Sequence, residues 1–314
     1  MTRAFVTGIG GQDGGYLAER LLADGVEVHA LAHDREPAPD VPDGVVLHTG
    51  DLTRHDEVRA LLLDLAPGEV YNLAAVSSVA QSWAEPDLVA SVNGAAAAAL
   101  LESALQVQEK HGTDVRFVQA SSAEIFGEPA TSPQAEDNPI RPVNPYGAAK
   151  AYAHLMVDVY RRRGLHAVCA ILYNHESPRR PERFVTRKVT RGVAAIAQGR
   201  ADHLVLGNLD ARRDWGWAPD YVDAMVRAAR ADSPADYVVA TGIAHSVRDF
   251  VDAAFAAAGV TDWEPLVRTD PSLVRPADPT ELVGDATRAR TFLGWAPTVG
   301  FEEIVRRMVA HDLA

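Results

Sequence analysis

The chain has 314 residues, of which 47% are hydrophobic and 23% are charged, and 43 acidic residues outnumber 30 basic ones. This composition excludes a disordered chain and supplies enough apolar residues for one large α/β unit or two coupled domains. The net charge of −13 argues against a nucleic-acid-binding protein or a membrane-surface protein, because both kinds of partner select basic faces.

The cysteine and lysine content gives further information about the class of protein. The single cysteine, Cys169, cannot form an internal disulfide, and its apolar surroundings in the sequence indicate a buried thiol. The N-terminus has no basic leader and no segment reaches about 18 uninterrupted apolar residues, so we expect a soluble, cytoplasmic protein without a membrane partner. Lysine occurs only at positions 110, 150 and 188, which suggests that its particular chemistry is required there.

Short β-rich runs alternate with helical periods through the first half of the chain, which is typical of a parallel sheet with crossover helices. The predicted strands cover residues 4–7, 26–31, 44–48, 69–73, 115–120 and 166–173. The predicted helices of this half cover residues 14–24, 54–65, 88–111 and 145–163. After Tyr173, loops rich in proline and arginine separate helices predicted near 184–198, 219–231, 246–258 and 300–312.

This order of elements predicts an α/β fold: a Rossmann-type doubly wound parallel sheet with a smaller, mostly helical C-terminal substrate domain over its carboxyl edge. We expect the sheet domain, which binds the cofactor, to comprise residues 1–173 and about 207–242. The substrate domain is expected to comprise about 174–206 and 243–314.

A glycine-rich turn follows the first strand directly. Gly8, Gly11 and Gly14 have the G-x-x-G-x-x-G spacing, in which missing side chains let the backbone turn sharply and bring a pyrophosphate to a helix N-terminus. At the first strand-to-helix junction this spacing favours a dinucleotide site over a purely structural turn. The cofactor-binding residues expected in the turn are Gly8, Gly11, Gln12, Asp13 and Gly14.

Residues at the ends of later strands are further candidates for contact with the cofactor. Asp51 follows the third strand and could accept a hydrogen bond from an adenine amino group, although a helix cap would have the same sequence. Strand two ends in His33-Asp34-Arg35, whose opposite charges leave both NADP and NAD open. The further residues expected to contact the cofactor are Arg35, Asp51, Leu52, Leu73, Ala74 and Ala75.

Tyr146 and Lys150 lie four residues apart at the start of a predicted helix and therefore share one face. A lysine ammonium near a phenol stabilises the phenolate, so we expect Lys150 to lower the pKa of Tyr146 and make it a usable base. The alternative is a tyrosine with an unrelated surface lysine. The strand ending at Ala120 brings Ser122 to the same edge of the sheet.

Together with the glycine turn, Ser122, Tyr146 and Lys150 resemble the active site of the extended short-chain dehydrogenase/reductase family, in which the tyrosine and lysine also contact the cofactor. Glu124 follows the catalytic hydroxyl by two residues and offers a base for a neighbouring C–H bond. A sugar 4,6-dehydratase requires such a base, because a ketone at C4 acidifies the proton at C5. The alternative for Glu124 is an exposed loop residue.

Longer stretches look like the GDP-mannose 4,6-dehydratases. They are Leu172-Tyr-Asn-His-Glu-Ser-Pro-Arg-Arg180, Phe184-Val-Thr-Arg-Lys188, Leu206-Gly-Asn-Leu-Asp-Ala-Arg-Arg-Asp-Trp-Gly216 and Arg275-Pro-Ala. The resemblance implies C4 oxidation, loss of water across C5 and C6, and return of the hydride to C6, without a metal ion. It also implies a tightly bound NADP, or alternatively NAD, that is regenerated in each turnover, and a homodimer or homotetramer.

The chain departs from the family pattern at several positions. Ala123 replaces a serine beside the catalytic hydroxyl, and Val76 and Ser78 replace polar residues after the fourth strand. His33 and Asp34 replace paired arginines, which weakens the implication of NADP and of a tetramer. Alternatives are a related GDP-hexose 4,6-dehydratase, a nucleotide-sugar epimerase or reductase, and a cofactor-sensing protein without catalysis.

Residues 179–191 carry a net charge of +5, which a substrate diphosphate would favour. The alternative is a solvated helical face with ion pairs between domains. We expect the basic side chains to differ in their partners, with Lys188, Arg213 and Arg275 facing the substrate. The residues that the resemblance implies for binding the nucleotide sugar are Ser82, Asn174, Glu176, Val185, Lys188, Arg213 and Arg275.

Overall fold

Seven parallel strands form the main sheet of the computed structural model, which describes residues 2–34, 39–273 and 281–314. These strands are β1 (Arg3–Thr7), β2 (Glu27–His33), β3 (Val46–Gly50), β4 (Glu69–Asn72), β5 (Arg116–Ser122), β6 (His166–Leu172) and β10 (Asp236–Val239). Their order is β10-β6-β5-β4-β1-β2-β3, so the winding direction reverses between β1 and β4. Ligands of doubly wound sheets bind at such a reversal.

Helices cover both faces of this sheet. The helices of the described residues are α1 (Gln12–Ala23), α2 (His55–Leu65), α3 (Val79–Ala84), α4 (Pro86–Val89), α5 (Ala96–His111), α6 (Pro145–Arg162), α7 (Val185–Ala197), α8 (Ala218–Ala229), α9 (Val247–Ala257), α10 (Thr287–Leu293) and α11 (Phe301–Leu313). On one face α1 and α8 pack together around Leu17 and Met225, and on the other α2, α5 and α6 enclose Leu101 and Val157. Because both faces are covered, the strands are continuous apolar runs.

Every strand and helix predicted from the sequence is present, with bounds that shift by a few residues. The elements that the sequence did not predict are short: α3, α4, α10, the edge strand β10, and a π-helical turn at Ala90–Ala95 that joins α4 to α5. The remaining short strands are β7 (Asn174–Glu176), β8 (Leu204–Leu206), β9 (Arg212–Trp217), β11 (Ala244–Ser246), β12 (Val267–Thr269) and β13 (Glu281–Leu282).

A third apolar cluster lies in the C-terminal half, where α7, α9 and α11 pack around Trp215 and Phe250. Strand β9 pairs with β7, β11 and β13, and β8 pairs with β12. Within the segment 207–242 that we assigned to the sheet domain, β9 therefore belongs to these short sheets, whereas α8 and β10 pack on the main sheet.

The helical segment Pro86–His111 is long and apolar enough to cross a membrane by length and composition alone. More than half of its apolar window is buried inside the protein. Leu100, Leu101 and Leu105 pack in the core beneath the main sheet. A core helix of a soluble protein meets the same criterion, so this segment is weak support for a membrane span.

Candidate active site

The glycine turn fits tightly at the carboxyl end of β1. Gly8 has a φ of +76°, and a Cβ on it would lie 2.7 Å from the backbone nitrogen of Ala74. A Cβ on Gly14 would lie 2.3 Å from the carbonyl oxygen of Gly8. No side chain caps the N-terminus of α1, which therefore presents its first N–H groups to an anion. This cradle fits the pyrophosphate of a dinucleotide.

A buried chain of hydrogen bonds connects the carboxyl ends of β1, β4 and β5 beside this turn. Thr7 Oγ1 donates to Asn72 Oδ1 (2.7 Å), and Asn72 Nδ2 donates to Gln119 Oε1 (2.9 Å). The backbone N–H of Ala74 donates to Thr7 Oγ1 (3.1 Å). These bonds fix the segment 73–75, which we expected to contact the cofactor.

Asn93 holds the same loop from the other side. Its Oδ1 accepts a hydrogen bond from the N–H of Val76 (2.8 Å), and its Nδ2 donates to the carbonyl of Val76 (3.1 Å). Asn93 is buried and lies on the π-helical turn. Sequence analysis missed this residue, because a polar residue in an alanine-rich helix carries no recognisable motif.

The end of β2 and the loop after β3 form the edge expected to receive adenosine. Asp51 Oδ1 accepts from the N–H (2.9 Å) and the hydroxyl (2.6 Å) of Thr53, so it caps a turn, and Leu52 is buried in the core. Asp34 forms an ion pair with Arg54 at 2.8 Å. The predicted cofactor residue Arg35 lies outside the described residues.

The predicted catalytic side chains lie together at the carboxyl end of β5. Burial raises the pKa of Tyr146 to about 12, although the nearby hydroxyl of Ser122 acts to lower it. The Lys150 Nζ donates to the carbonyl of Ala120 (2.7 Å), and burial lowers the pKa of Lys150 to about 8.

The expectation that Lys150 lowers the pKa of Tyr146 is wrong for this structure. The Lys150 Nζ lies 5.9 Å from the centre of the tyrosine ring, and its hydrogen bond goes to the backbone of β5. Burial therefore dominates the pKa of both groups: it disfavours the charged forms of the phenol and of the amine alike. The charges that lower the pKa of Tyr146 include Arg180, which sequence analysis did not place there.

Glu124 lies in a short 3₁₀ turn after β5 and is oriented by Asn144. The Nδ2 of Asn144 donates to Glu124 Oε2 (2.9 Å), while its Oδ1 accepts from the N–H of Gly147 and caps α6 (2.7 Å). A Cβ on Gly147 would lie 2.5 Å from the carbonyl oxygen of Glu124, so glycine allows α6 to approach this turn. Asn144 is a second residue that sequence analysis left without a role.

The side chains of Gln12 and Asp13 bind the strand after β6. Gln12 Nε2 donates to the carbonyl of His175 (3.1 Å), and Gln12 Oε1 accepts from the hydroxyl of Ser177 (2.8 Å). His175 donates through Nδ1 to the carbonyl of Tyr173 (2.7 Å) and through Nε2 to Asp13 (2.9 Å). Burial opposes the charges, yet the pair keeps the pKa of His175 raised and that of Asp13 lowered.

Glu176, a predicted substrate residue, is buried at the end of β7. It accepts a hydrogen bond from Thr186 Oγ1 (2.6 Å) and lies 3.3 Å from the Nε of Arg180. Burial raises the pKa of Glu176. Asn174 and Val185 are half-buried at the starts of β7 and α7, so three predicted substrate residues border one region.

Three arginines of the basic segment 179–191 form ion pairs with acidic residues of the chain. Arg187 forms a buried ion pair with Asp312, and Arg191 pairs with Glu182. Arg179 pairs with Glu19. These three arginines therefore bind the protein itself.

The other predicted substrate residues lie in different surroundings. Lys188 is half-buried; hydrogen bonds with Ser272 lower the pKa of Asp270 in the loop beyond β12, and Lys188 adds a smaller contribution. Arg213 is buried on β9 and donates to a neighbouring carbonyl (2.7 Å). Ser82 is fully buried, and its hydroxyl donates to the carbonyl of Val79 (2.7 Å). Arg275 lies outside the described residues.

Comparison with known proteins identifies similar chains. The GDP-mannose 4,6 dehydratase family model matches residues 5–308. A GDP-mannose 4,6 dehydratase from Arabidopsis thaliana is 44% identical over 99% of this chain and 89% of its own length. The human GDP-mannose 4,6 dehydratase is 40% identical over 99% and 91%. Among solved structures, UDP-glucose 4-epimerase of Thermus thermophilus in complex with NAD superposes with a TM-score of 0.86 at 30% identity, covering 99% of each chain.

Proposed function

This chain belongs to the GDP-mannose 4,6-dehydratase family, and from that premise we propose how its residues convert GDP-mannose into GDP-4-keto-6-deoxy-mannose. The reaction is that of a hydro-lyase: C4 is oxidised, water is lost across C5 and C6, and C6 is reduced. The observation that carries the proposal is the carboxylate of Glu124, fixed by Asn144 beside the Ser122–Tyr146 pair. An epimerase of the same fold needs no such base.

The glycine cradle and the segment 73–75 would hold a nicotinamide dinucleotide. Held there, such a dinucleotide would supply reversible hydride storage, with no net change in its redox state over a turnover. We propose NADP, with Arg54 near the 2′-phosphate at the end of β2, and NAD as the alternative, with Asp34 accepting from the 2′-hydroxyl. The dissociation constants of the two dinucleotides, measured by calorimetry, distinguish these forms.

Ser122 and Tyr146 would act on the C4 hydroxyl. Tyr146 would remove its proton and Ser122 would orient it. Burial keeps the phenol protonated at neutral pH, with a pKa of about 12, while the neighbouring Ser122 hydroxyl and Arg180 act to lower that pKa. The positive charge of a bound nicotinamide ring would also favour the phenolate.

Glu124 would carry out the dehydration. Its carboxylate takes the C5 proton, which the C4 ketone has acidified, and then passes a proton to the departing C6 hydroxyl. The hydrogen bond from Asn144 holds one oxygen of the carboxylate and leaves the other for the substrate. Proton transfer by a positioned side chain contributes about 10²- to 10⁴-fold to a rate.

The C-terminal elements would hold the GDP moiety, with the domain limits at 173/174, 206/207 and 242/243 retained as a proposal. Lys188, Arg213 and Arg275 are proposed for the diphosphate on the family resemblance, whereas Arg179, Arg187 and Arg191 of the basic segment bind acidic residues of the chain. Asn174 and Val185 are proposed near the nucleotide, and Ser82 and Glu176 near the sugar.

We also propose a cytoplasmic homodimer, with a homotetramer as the alternative. Helix α6 exposes Tyr152, Leu155 and Val159 along one face, each about half accessible. Trp83 and Leu88 lie exposed on the preceding helices, which contact α6. An apolar stripe of this kind on a soluble enzyme is typical of a surface that pairs with a second copy.

Turnover in heavy water tests the reaction. We expect the purified protein to convert GDP-mannose to a product that has lost one water and carries one solvent deuterium at C5, with no net reduction of the dinucleotide. Glu124→Gln should bind substrate normally and form no product, whereas Glu128→Gln, at an exposed loop position, should retain full activity. Dehydration at the wild-type rate by Glu124→Gln would remove the assigned base. A product of unchanged mass would identify an epimerase.

A further inference from the structure

A cluster of three potential metal ligands lies inside the main sheet domain, apart from the substrate residues. Cys169 on β6 and Asp236 on β10 are register partners in adjacent strands, and His154 extends from α6 above them. One ligand atom from each residue lies within 4.8 Å of the other two. Cys169 and His154 are buried, and Asp236 is partly exposed.

The histidine is oriented as a metal ligand would be. Its Nδ1 lies 3.2 Å from the hydroxyl of Ser121, which leaves Nε2 facing the carboxylate. Metal-binding histidines usually bond a second group through the other ring nitrogen, which fixes the ring and its tautomer.

The separation of the His154 and Asp236 side chains fits coordination better than hydrogen bonding, while the Cys169 thiol donates to the backbone carbonyl of His154 (3.8 Å). The Nε2 of His154 lies 3.7 Å from Oδ2 of Asp236, which is too long for a hydrogen bond. Two ligands about 2.1 Å from one tetrahedral ion are about 3.4 Å apart, so this pair would have to move by only a few tenths of an ångström.

Neighbouring groups bind one carboxylate oxygen of Asp236 and leave the other oxygen for a cation. Arg161 binds Oδ1 of Asp236 at 2.5 Å, and the N–H of Cys169 also points to Oδ1 (3.3 Å). Oδ2 faces His154. Coordination by Cys169 would release the proton of its thiol, because zinc binds the thiolate.

A pocket of about 300 Å³ is lined by Arg161, which binds Asp236, together with His166 and Asp232. The pocket opens at the amino ends of β5 and β6, opposite the edge that carries Ser122 and Glu124.

From this geometry we propose that His154, Cys169 and Asp236 form a site for one Zn²⁺ ion, with water in the fourth position. A nitrogen, a thiolate and a carboxylate are the ligand types of zinc and exclude calcium and magnesium, which take oxygen ligands alone. The site lies one helical turn beyond Lys150, so it is adjacent to the catalytic helix without including the reacting groups.

Direct metal binding to the full chain tests the site. Protein stripped with a chelator should bind one Zn²⁺ in competition with a chromophoric chelator, and Co²⁺ in the same site should give the charge-transfer band of a thiolate–cobalt bond. Absence of that band in the folded wild-type protein would overturn the proposal, whatever the variants do.

Matched variants localise the ion. Cys169→Ser and His154→Gln should each weaken Zn²⁺ binding at least tenfold and abolish the cobalt band, while circular dichroism reports whether they fold. His203→Gln, at an exposed histidine, should leave both unchanged. Zinc affinity that survives Cys169→Ser would place the ion on surface histidines and overturn the assignment.

Discussion

Asn144 joins the N-terminus of helix α6 to the carboxylate of Glu124. Its amide accepts from the N–H of Gly147 at 2.7 Å and donates to Glu124 at 2.9 Å. One side chain therefore sets both the start of the helix that carries Tyr146 and the orientation of the proposed C5 base.

Replacing Asn144 separates these two roles. Asn144→Ser retains a good helix cap but cannot reach Glu124, so we expect kcat to fall about tenfold with little change in stability. Asn144→Ala should show the same loss of activity and lose about 1 kcal/mol of stability. Steady-state kinetics and urea unfolding measure the two effects. Wild-type kcat in Asn144→Ser would show that the contact with Glu124 is not used.

The burial of Lys150 predicts a pH-dependent stability. Its pKa is lowered from 10.5 to about 8. At neutral pH the amine is charged in both the folded and the unfolded chain, so burying it reduces the free energy of unfolding by about 3 kcal/mol. Because the folded state loses its proton first, this cost declines as pH rises from about 8 towards 10.5. After about 1 kcal/mol for the lost hydrogen bond, Lys150→Met should be about 2 kcal/mol more stable at pH 7.

Urea unfolding of Lys150→Met and wild type across this pH range checks the sign. The advantage of the variant should shrink above pH 8. Lys110→Met, at an exposed lysine near the end of α5, is the control and should show no such trend. A difference that grows with pH would contradict the lowered pKa.

Substitution by alanine should have opposite effects on stability at the two adjacent glycines in α1. A Cβ on Gly14 meets the carbonyl oxygen of Gly8 at 2.3 Å, so Gly14→Ala must displace the turn. We expect it to lose 1–3 kcal/mol of stability, roughly, and most dinucleotide binding. A Cβ on Gly15 meets only the flexible end of Arg179 at 3.0 Å, so Gly15→Ala should be neutral or stabilise by up to about 1 kcal/mol. Calorimetry with NAD(P) and thermal unfolding compare the two.

The buried side chains of Asp13 and His175 should stabilise the fold as an ion pair only within a limited pH range. The pKa of Asp13 is lowered and that of His175 is raised. The contribution of the pair is therefore lost as pH falls below the ordinary Asp value of 3.8, and again as pH rises above the ordinary His value of 6.5. A double-mutant cycle with Asp13→Asn and His175→Gln should give about 1–3 kcal/mol at pH 5–6 and less at pH 9. Equal coupling at both pH values would show that the pair is not ionic.

The apolar face of α6 predicts an oligomer that a charged substitution on this face would dissociate. Leu155 is 55% exposed at the centre of the stripe formed by Tyr152, Leu155 and Val159. Leu155→Glu should shift the protein to a monomer in analytical ultracentrifugation, because it places a charge in an apolar interface. Phe292→Glu, at a residue 73% exposed on α10, is the matched control. An unchanged oligomer in Leu155→Glu would place the interface elsewhere.

The sequence predicted the sheet and its active-site motifs because these depend on local signals. Apolar runs bounded by turns located β1–β6, and the spacing of Gly8, Gly11 and Gly14 located the cradle. Tyr146 and Lys150 share a face because they lie one helical turn apart. The short strands β7–β13 carry two to six residues each, too few for a reliable periodicity, so they were not predicted.

The sequence by itself thus determined the fold class and predicted the cofactor cradle and the catalytic groups. Only the tertiary structure decided how strongly Tyr146 and Lys150 are buried, and hence that burial dominates the pKa of both groups. It also revealed the roles of Asn93 and Asn144, whose amides bond partners 17 and 20 residues away. Burial and long-range hydrogen bonding depend on the packing of distant segments, which no local pattern encodes.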